Sequence, residues 1–329
     1  MAAGSISATG DRPDLGRSPG SRLDPWMQYV LTGLAALILA LIGFFFVRLF
    51  IEARPAFDRF GYFGFVFDNN WDVSKGQFGA WPLVVGTLIT SGIALIIGVP
   101  VAIAAALYVT ELCPVRLRQP LTILLELLAA VPSVVYGLWG IFVLAPKLLP
   151  AEKWFNDTFS FLPFVGGIVS IPNYFVAGLI LAIMILPIVS AIAREVMATV
   201  PVENKEAALA LGATRWEMIR MAVLPYSRAG ISGAAMLGLG RAIGETIAVT
   251  IVIGNAPDIG KSVFSQGYTL AAVIANEFGE AASDPTHRAA LIAAGLVLFV
   301  LTLLVNAVAR AVVNRGVRRE RIVPQGMAG

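Results

Sequence analysis

The sequence predicts an all-α polytopic membrane protein with six transmembrane helices. Three observations predict it. Of the 329 residues, 57% are hydrophobic and only 14% are charged, and the mean hydropathy of +0.80 lies far from that of a soluble domain. Six segments approach or exceed the roughly 20 apolar residues a bilayer demands. Lys and Arg gather in alternate loops.

In chain order, Met1 to Asp24 is rich in Ser, Gly, Pro, Asp and Arg and has almost no apolar run, so residues 1–25 are expected to be a disordered tail. Charges run throughout it and the next apolar run is long, which does not suit a signal peptide. The spans follow at about Met27–Phe50, Leu83–Val109, Leu121–Leu144, Tyr174–Ile192, Gly230–Gly254 and Ala289–Ala309. They define a membrane domain over 26–315, with a tail over 316–329. With six spans both termini share a side. That side, with the second and fourth loops, holds about fifteen of the 24 Lys and Arg, so it is expected to be cytosolic. The residues after the last span carry Arg310, Arg315, Arg318, Arg319 and Arg321. The net charge of +3 suits this bias and not nucleic-acid binding.

Pro100, Pro132 and Pro187 lie inside three spans and are expected to kink them. The segment before the second span carries Phe57, Phe60, Tyr62, Phe63, Phe65, Phe67, Trp71, Phe78 and Trp81. It reads either as an interfacial aromatic belt or as a docking surface for an external protein.

The single cysteine, Cys113, and single histidine, His287, exclude a disulfide, a Cys-based metal cluster and a multi-histidine metal site. His287 beside Arg288 is expected to be solvated. Gly254 to Ser262 imitates a phosphate loop with one residue too many, and Gly238 to Gly244 imitates a dinucleotide fingerprint with the same fault. No metal or cofactor is expected on the chain.

A polar stretch lies between the fourth and fifth spans, over 201–228. Pro201 ends the preceding helix. Glu203 to Leu211 favour a helix apart from Asn204, with Glu203 and Glu206 near its positive start. Gly212 suits a left-handed cap, and Thr214 with Glu217 makes a capping box for a second short helix. Pro225 is expected to limit how far that helix continues. Ala207, Ala208 and Leu211 form a small apolar face beside Glu206. The face reads either as a docking element or as an ordinary interfacial helix.

The fifth span holds two charges, Arg241 and Glu245. Arg241 lies 11 residues past Gly230, about 16 Å along a helix, where a charge costs roughly 2.5–3.5 kcal/mol. Glu245 is expected one turn later on the same face. The two are either a self-neutralising pair or an anion station whose arginine fork fits a tetrahedral oxyanion. Thr246 and Ser133 are candidate neutral donors. Gly233, Gly238, Gly240 and Gly244 are expected to serve close packing. Glu126, in the third span, reads either as a second partner for Arg241 or as a vestibule group.

Glu206-Ala-Ala, Gly212 and Leu224-Pro225 resemble the EAA loop of ABC importer permeases. Phe78 to Leu88, Glu126 to Gly140, Leu237 to Thr246 and Tyr268 to Glu280 look like the permease subunits of phosphate ABC importers, of the PstC type. The likeness covers roughly residues 60 to 315, with Ala222 departing from the usual isoleucine of the loop. It implies a type I importer permease architecture (MetI-like) and inward phosphate transport by alternating access. It also implies a second permease subunit (PstA-type), two ATPase subunits that use ATP and magnesium, and an extracytoplasmic phosphate-binding protein. Glu206, Ala207, Ala208 and Gly212 would couple to the ATPase, and Arg241, Glu245, Thr246 and Ser133 would line the pathway. The chain itself would make and break no covalent bond. Another oxyanion, sulfate or molybdate, is the alternative cargo, and a stand-alone secondary transporter the alternative machine.

Overall fold

The computed structural model describes residues 23–320, apart from Pro163 and Lys261. Most of the two expected tails, including Arg321, lies outside the described residues. Two units divide the chain, residues 1–48 and 49–329. The helix α1, Leu23–Phe60, begins in the first and ends in the second. Within the first unit the rings of Phe44 and Phe45 meet edge to face at 6.0 Å.

The second unit is a helical bundle. A short helix α2, Tyr62–Phe67, and a two-residue hairpin, β1 Trp71–Asp72 with β2 Gln77–Phe78, precede the first long helix. The hairpin is a small departure from an all-α chain. It pairs antiparallel, Trp71 opposite Phe78. Then come α3, Trp81–Leu107, α4, Val115–Ala130, α5, Ser133–Trp139, and α6, Ala145–Thr158. The central helix α7 spans Tyr174–Ala198. Two short helices, α8 Val202–Ala210 and α9 Arg215–Met218, lead into α10, Leu224–Gly244, and α11, Ile247–Ile253. The chain closes with α12, Leu270–Glu277, and α13, Pro285–Glu320.

Among the described residues five helices are long and apolar enough to cross a membrane, or six if α10 with α11, bent by 63°, counts as one span. Helix directions agree with alternating crossings. A Cβ on Gly98 would meet Ile185 and one on Gly178 would meet Ile93, so α3 and α7 run the same way. Gly230 abuts Val196 while Gly238 abuts Val189, so α10 runs opposite to α7. α7 sits in the middle, and Asn173 caps it by accepting the Val176 N–H at 2.8 Å.

Two spans differ from expectation. The third long apolar helix starts at Ser133 and not near Leu121, because Val131 (ψ 127°) and Pro132 (ψ 141°) are extended. Proline pushes its predecessor out of the helical region, and here that breaks the helix outright, while Pro100 and Pro187 stay inside theirs. Pro225 does not end its helix. A wide π-helical turn, Ile219–Val223, precedes it and the helix runs on. The same turn occurs at Tyr108–Leu112 before Pro114 and at Gly140–Leu144 before Pro146. A proline neither donates to the carbonyl four residues back nor tolerates it closely, and a wider turn relieves both problems.

Three buried clusters hold the bundle. At the hairpin end Phe57, Phe65, Trp71 and Phe78 pack with Leu83, Leu270 and Leu291. The aromatic segment is therefore mainly core: only Tyr62, Phe63 and Phe67 stay well exposed among its rings. His287 lies in this cluster at 2% exposure, which corrects the expectation of a solvated side chain. Its ring stacks on Phe78 at 5.2 Å, and its Nε2 lies 2.9 Å from Glu277. Trp71 donates to the same carboxylate at 3.0 Å. The middle cluster joins α7 to α3, α5, α10 and α11. The third, at the α8 end, gathers Leu107, Met197, Met218 and Ile219.

Candidate functional site

The 201–228 loop folds from local signals. Helix α8 ends in a Schellman motif: Ala213 N–H reaches the Ala208 carbonyl and Gly212 N–H the Leu209 carbonyl. Gly212 takes φ +84°, the left-handed value that motif requires. Thr214 and Glu217 form the reciprocal capping box of α9, with the Glu217 carboxylate 2.8 Å from the Thr214 amide. Glu206, Ala207 and Gly212 face solvent, while Ala208 packs against the adjacent cluster. Around them Leu211 is 90% exposed, and Val202, Trp216 and Met221 are each about 60% exposed. Open apolar surface of this extent suits contact with lipid or with a partner protein.

The loop is clamped to the bundle by an ion pair that sequence reading missed. Lys205 Nζ lies 2.6 Å from Glu111 Oε1, with the Glu111 side chain only 8% exposed. Glu111 sits in the π-helical turn at the end of α3, so the two residues are neighbours only in space.

The membrane charges are arranged differently from expectation. Helix α10 stops at Gly244, and Glu245 adopts extended dihedrals, φ −71° and ψ 128°. Glu245 therefore does not lie one helical turn above Arg241. Its carboxylate turns forward to the Ala248 amide at 3.4 Å, at the start of α11. Among the described residues no carboxylate comes within 4.0 Å of Arg241, and its side chain is exposed. The self-neutralising pair is not formed. Glu126 is not its partner either. A Cβ added at Gly233, Gly240 or Gly244 would meet nothing within 4 Å. Of the four glycines expected to serve close packing only Gly238 does so, and Gly230 does so besides.

The break in α10–α11 has a companion in α4–α5. A Cβ on Gly137 would meet Ala248 and Ile251, and one on Gly140 would meet Val252, so α5 and α11 run side by side in the same direction. Ser133 is the first residue of α5 and Thr246 the residue before α11, so each stands at the start of one of these two neighbouring helices. Tyr136, near the start of α5, donates its hydroxyl to the Leu128 carbonyl at 2.7 Å. The structure therefore sets Ser133 and Glu245-Thr246 at the starts of two neighbouring helices, with Arg241 in the last turn of α10. The loop residues lie at the α8 end. Non-helical backbone at membrane depth persists where it is lined by protein or a water-filled path, and half-helix restarts are a recurrent frame for ion sites. Among the described residues no group of three or more His, Cys, Asp or Glu is placed to hold a metal ion.

A family model described as "binding-protein-dependent transport system inner membrane component" matches residues 98–318. The phosphate transport system permease protein PstC of Mesorhizobium japonicum is 45% identical over 286 residues, covering 85% of this chain and 87% of that one. The protein called PstC 2 from Mycobacterium tuberculosis is 43% identical over 302 residues, covering 89% and 93%. Among solved structures, a bacterial alginate ABC transporter in complex with a pentasaccharide-bound periplasmic protein aligns with a TM-score of 0.59 at 18% identity. That alignment covers 89% of this chain and 97% of that chain. At that identity the likeness concerns the fold.

Proposed function

The chain belongs to the family of binding-protein-dependent transport system inner membrane components, and from that premise we propose that it is the permease subunit of an ATP-driven importer carrying inorganic phosphate inward. Relatives named as phosphate transport permeases match it over most of their length. The observation that carries the cargo is Arg241: a guanidinium in the last turn of α10, just before the break, exposed and, among the described residues, with no carboxylate within 4.0 Å. Its planar fork suits two oxygens of a tetrahedral anion. Ser133 and Thr246, at the starts of α5 and α11, supply neutral donors. Glu245, held by α11 and only four residues away, weakens the attraction so that the anion leaves again, which a conduit needs.

The chain holds no engine of its own in this reading. Two ATPase subunits bind ATP and magnesium, and one docks on Glu206, Ala207, Ala208 and the turn at Gly212. A PstA-type sister permease completes the pathway, and an extracytoplasmic phosphate-binding protein delivers the cargo. Both termini and the 201–228 loop face the cytosol. ATP binding closes the ATPases and opens the pathway outward; hydrolysis returns it inward.

Uptake of radiolabelled phosphate by the reconstituted complex, with sulfate as competitor, tests the cargo. Phosphate uptake that excess sulfate leaves intact is expected, and uptake of sulfate alone would overturn the reading. Arg241→Ala is expected to abolish uptake while the complex still assembles; normal uptake by that variant would remove the arginine from the pathway.

A further inference from the structure

Helix α4 is held unlike its neighbours. None of its residues is buried. Two extended residues flank it at each end, Cys113 and Pro114 before it, Val131 and Pro132 after it. Such residues absorb dihedral changes that a helix cannot. Three side-chain hydrogen bonds tether it: Arg118 to the Thr110 carbonyl, Arg194 to Thr122, and Tyr136 to the Leu128 carbonyl.

The middle tether is unfinished. Arg194, in α7, donates one terminal N–H to the Thr122 hydroxyl at 2.7 Å. Its Nε is buried with no partner, and no carboxylate lies within 4.0 Å of it among the described residues. Beside it is a cavity of about 230 Å³ between α4 and α7, lined by Glu126, Ala129, Pro187, Ala191 and Arg194. Glu126 lies four residues beyond Thr122, so both occupy one face of α4, a turn apart. A buried donor without a partner is costly, Glu126 lines the same cavity with no cation within 4.0 Å of it among the described residues, and the cavity leaves room to move.

We propose that α4 has two positions against α7, differing by up to one helical turn, about 5.4 Å. In the position seen here Arg194 holds Thr122. In the other, α4 has moved toward its own N-terminus and Arg194 holds Glu126. The motion has a source and a destination. The N-terminal hinge of α4 follows the turn containing Glu111, which Lys205 of α8 grips. The C-terminal hinge leads to Ser133 and Tyr136 in α5, the helix that packs on α11 just after the break following Arg241. The Thr122-to-Glu126 exchange is thus a ratchet between the loop and the anion site. It rests on the importer reading for the ATPase that drives it.

The test uses an assembled complex already shown to take up phosphate with ATP. Leu125, Ala129 and Ala191 all line the cavity, so two mild cysteine pairs report the two positions once Cys113 is replaced by Ser. Leu125→Cys with Ala191→Cys should be bridged by a short bis-thiol reagent in the nucleotide-free state. Ala129→Cys with Ala191→Cys should replace it when ATP and vanadate trap the ATPases. Glu126→Arg and Arg194→Glu should each slow uptake about tenfold, and the double swap should recover most of it. Bridging yields that do not change with nucleotide would overturn the proposal. A swap no better than either single variant would overturn it as well.

Discussion

Gly86 has room for a hydrogen and nothing larger. A Cβ there would collide with the Tyr268 carbonyl oxygen and lie 3.3 Å from the Tyr174 ring. Gly86→Ala is expected to destabilise the protein by about 1–3 kcal/mol, read as a lower melting temperature of the purified protein in detergent; an unchanged value would mean that the backbone yields. At Arg241 a lysine keeps the charge and loses the fork. Arg241→Lys should therefore leave assembly intact and weaken apparent phosphate affinity in uptake assays, whereas a wild-type affinity would mean that charge alone suffices. Single residues were the hardest to read from sequence. His287 has polar neighbours, Thr286 and Arg288, and nothing local announces burial; its partners Phe78 and Glu277 arrive from other elements. Arg241 was legible because a charge in an apolar run stands out. The fate of Glu245 was not, since Gly244-Glu245-Thr246 reads as helix until the chain is seen to break there.

Elements governed by local rules were the most legible. Helix α8, the left-handed Gly212 and the capping box of α9 need only residues within six positions of one another, and all formed as expected. The clamp between Lys205 and Glu111 joins residues 94 apart and leaves no periodic trace. Because the Glu111 side chain is largely buried, removing either partner should cost about 3 kcal/mol. Glu111→Lys is expected to lower uptake and Glu111→Lys with Lys205→Glu to restore it; a double variant as poor as the single one would reduce the pair to bystanders. The hairpin gives a pH prediction. The Lys75 ammonium, then the Ser74 hydroxyl, hold the Asp72 carboxyl well below the ordinary carboxylate range. A lowered folded-state pKa means that this contribution is fully present above the unfolded value and is lost only as pH falls through the depressed one. Hydrogen exchange at Ser74 and Lys75, whose amides bond that carboxylate, should show equal protection factors at pH 5 and at about pH 3, where an unshifted carboxyl is mostly protonated. Loss of protection by about pH 3 would contradict the shift.

For the whole molecule, composition and apolar run length reveal a six-span helical protein because the bilayer sets a length that no soluble core demands. They do not reveal breaks, because Val131-Pro132 and Glu245-Thr246 sit in runs that remain apolar across them. Helix directions give the topology a sharper test. Val73→Cys in the hairpin should react with an impermeant thiol reagent added to intact cells, and Ala210→Cys at the end of α8 only after permeabilisation. The opposite labelling would invert the protein and move the proposed ATPase dock to the wrong side.

The carboxylate of Glu277 that joins Trp71 to His287 also sets a timetable. Trp71 is made 206 residues before it. At about 5–20 residues per second, on the order of 10–40 s separate their emergence during synthesis. A two-residue ladder has little stability alone. The stretch between α1 and α3 therefore waits unfinished while most of the bundle is being made, and a truncated chain ending before α12 would present Trp71 and Phe78 to proteases and chaperones that the finished protein never meets.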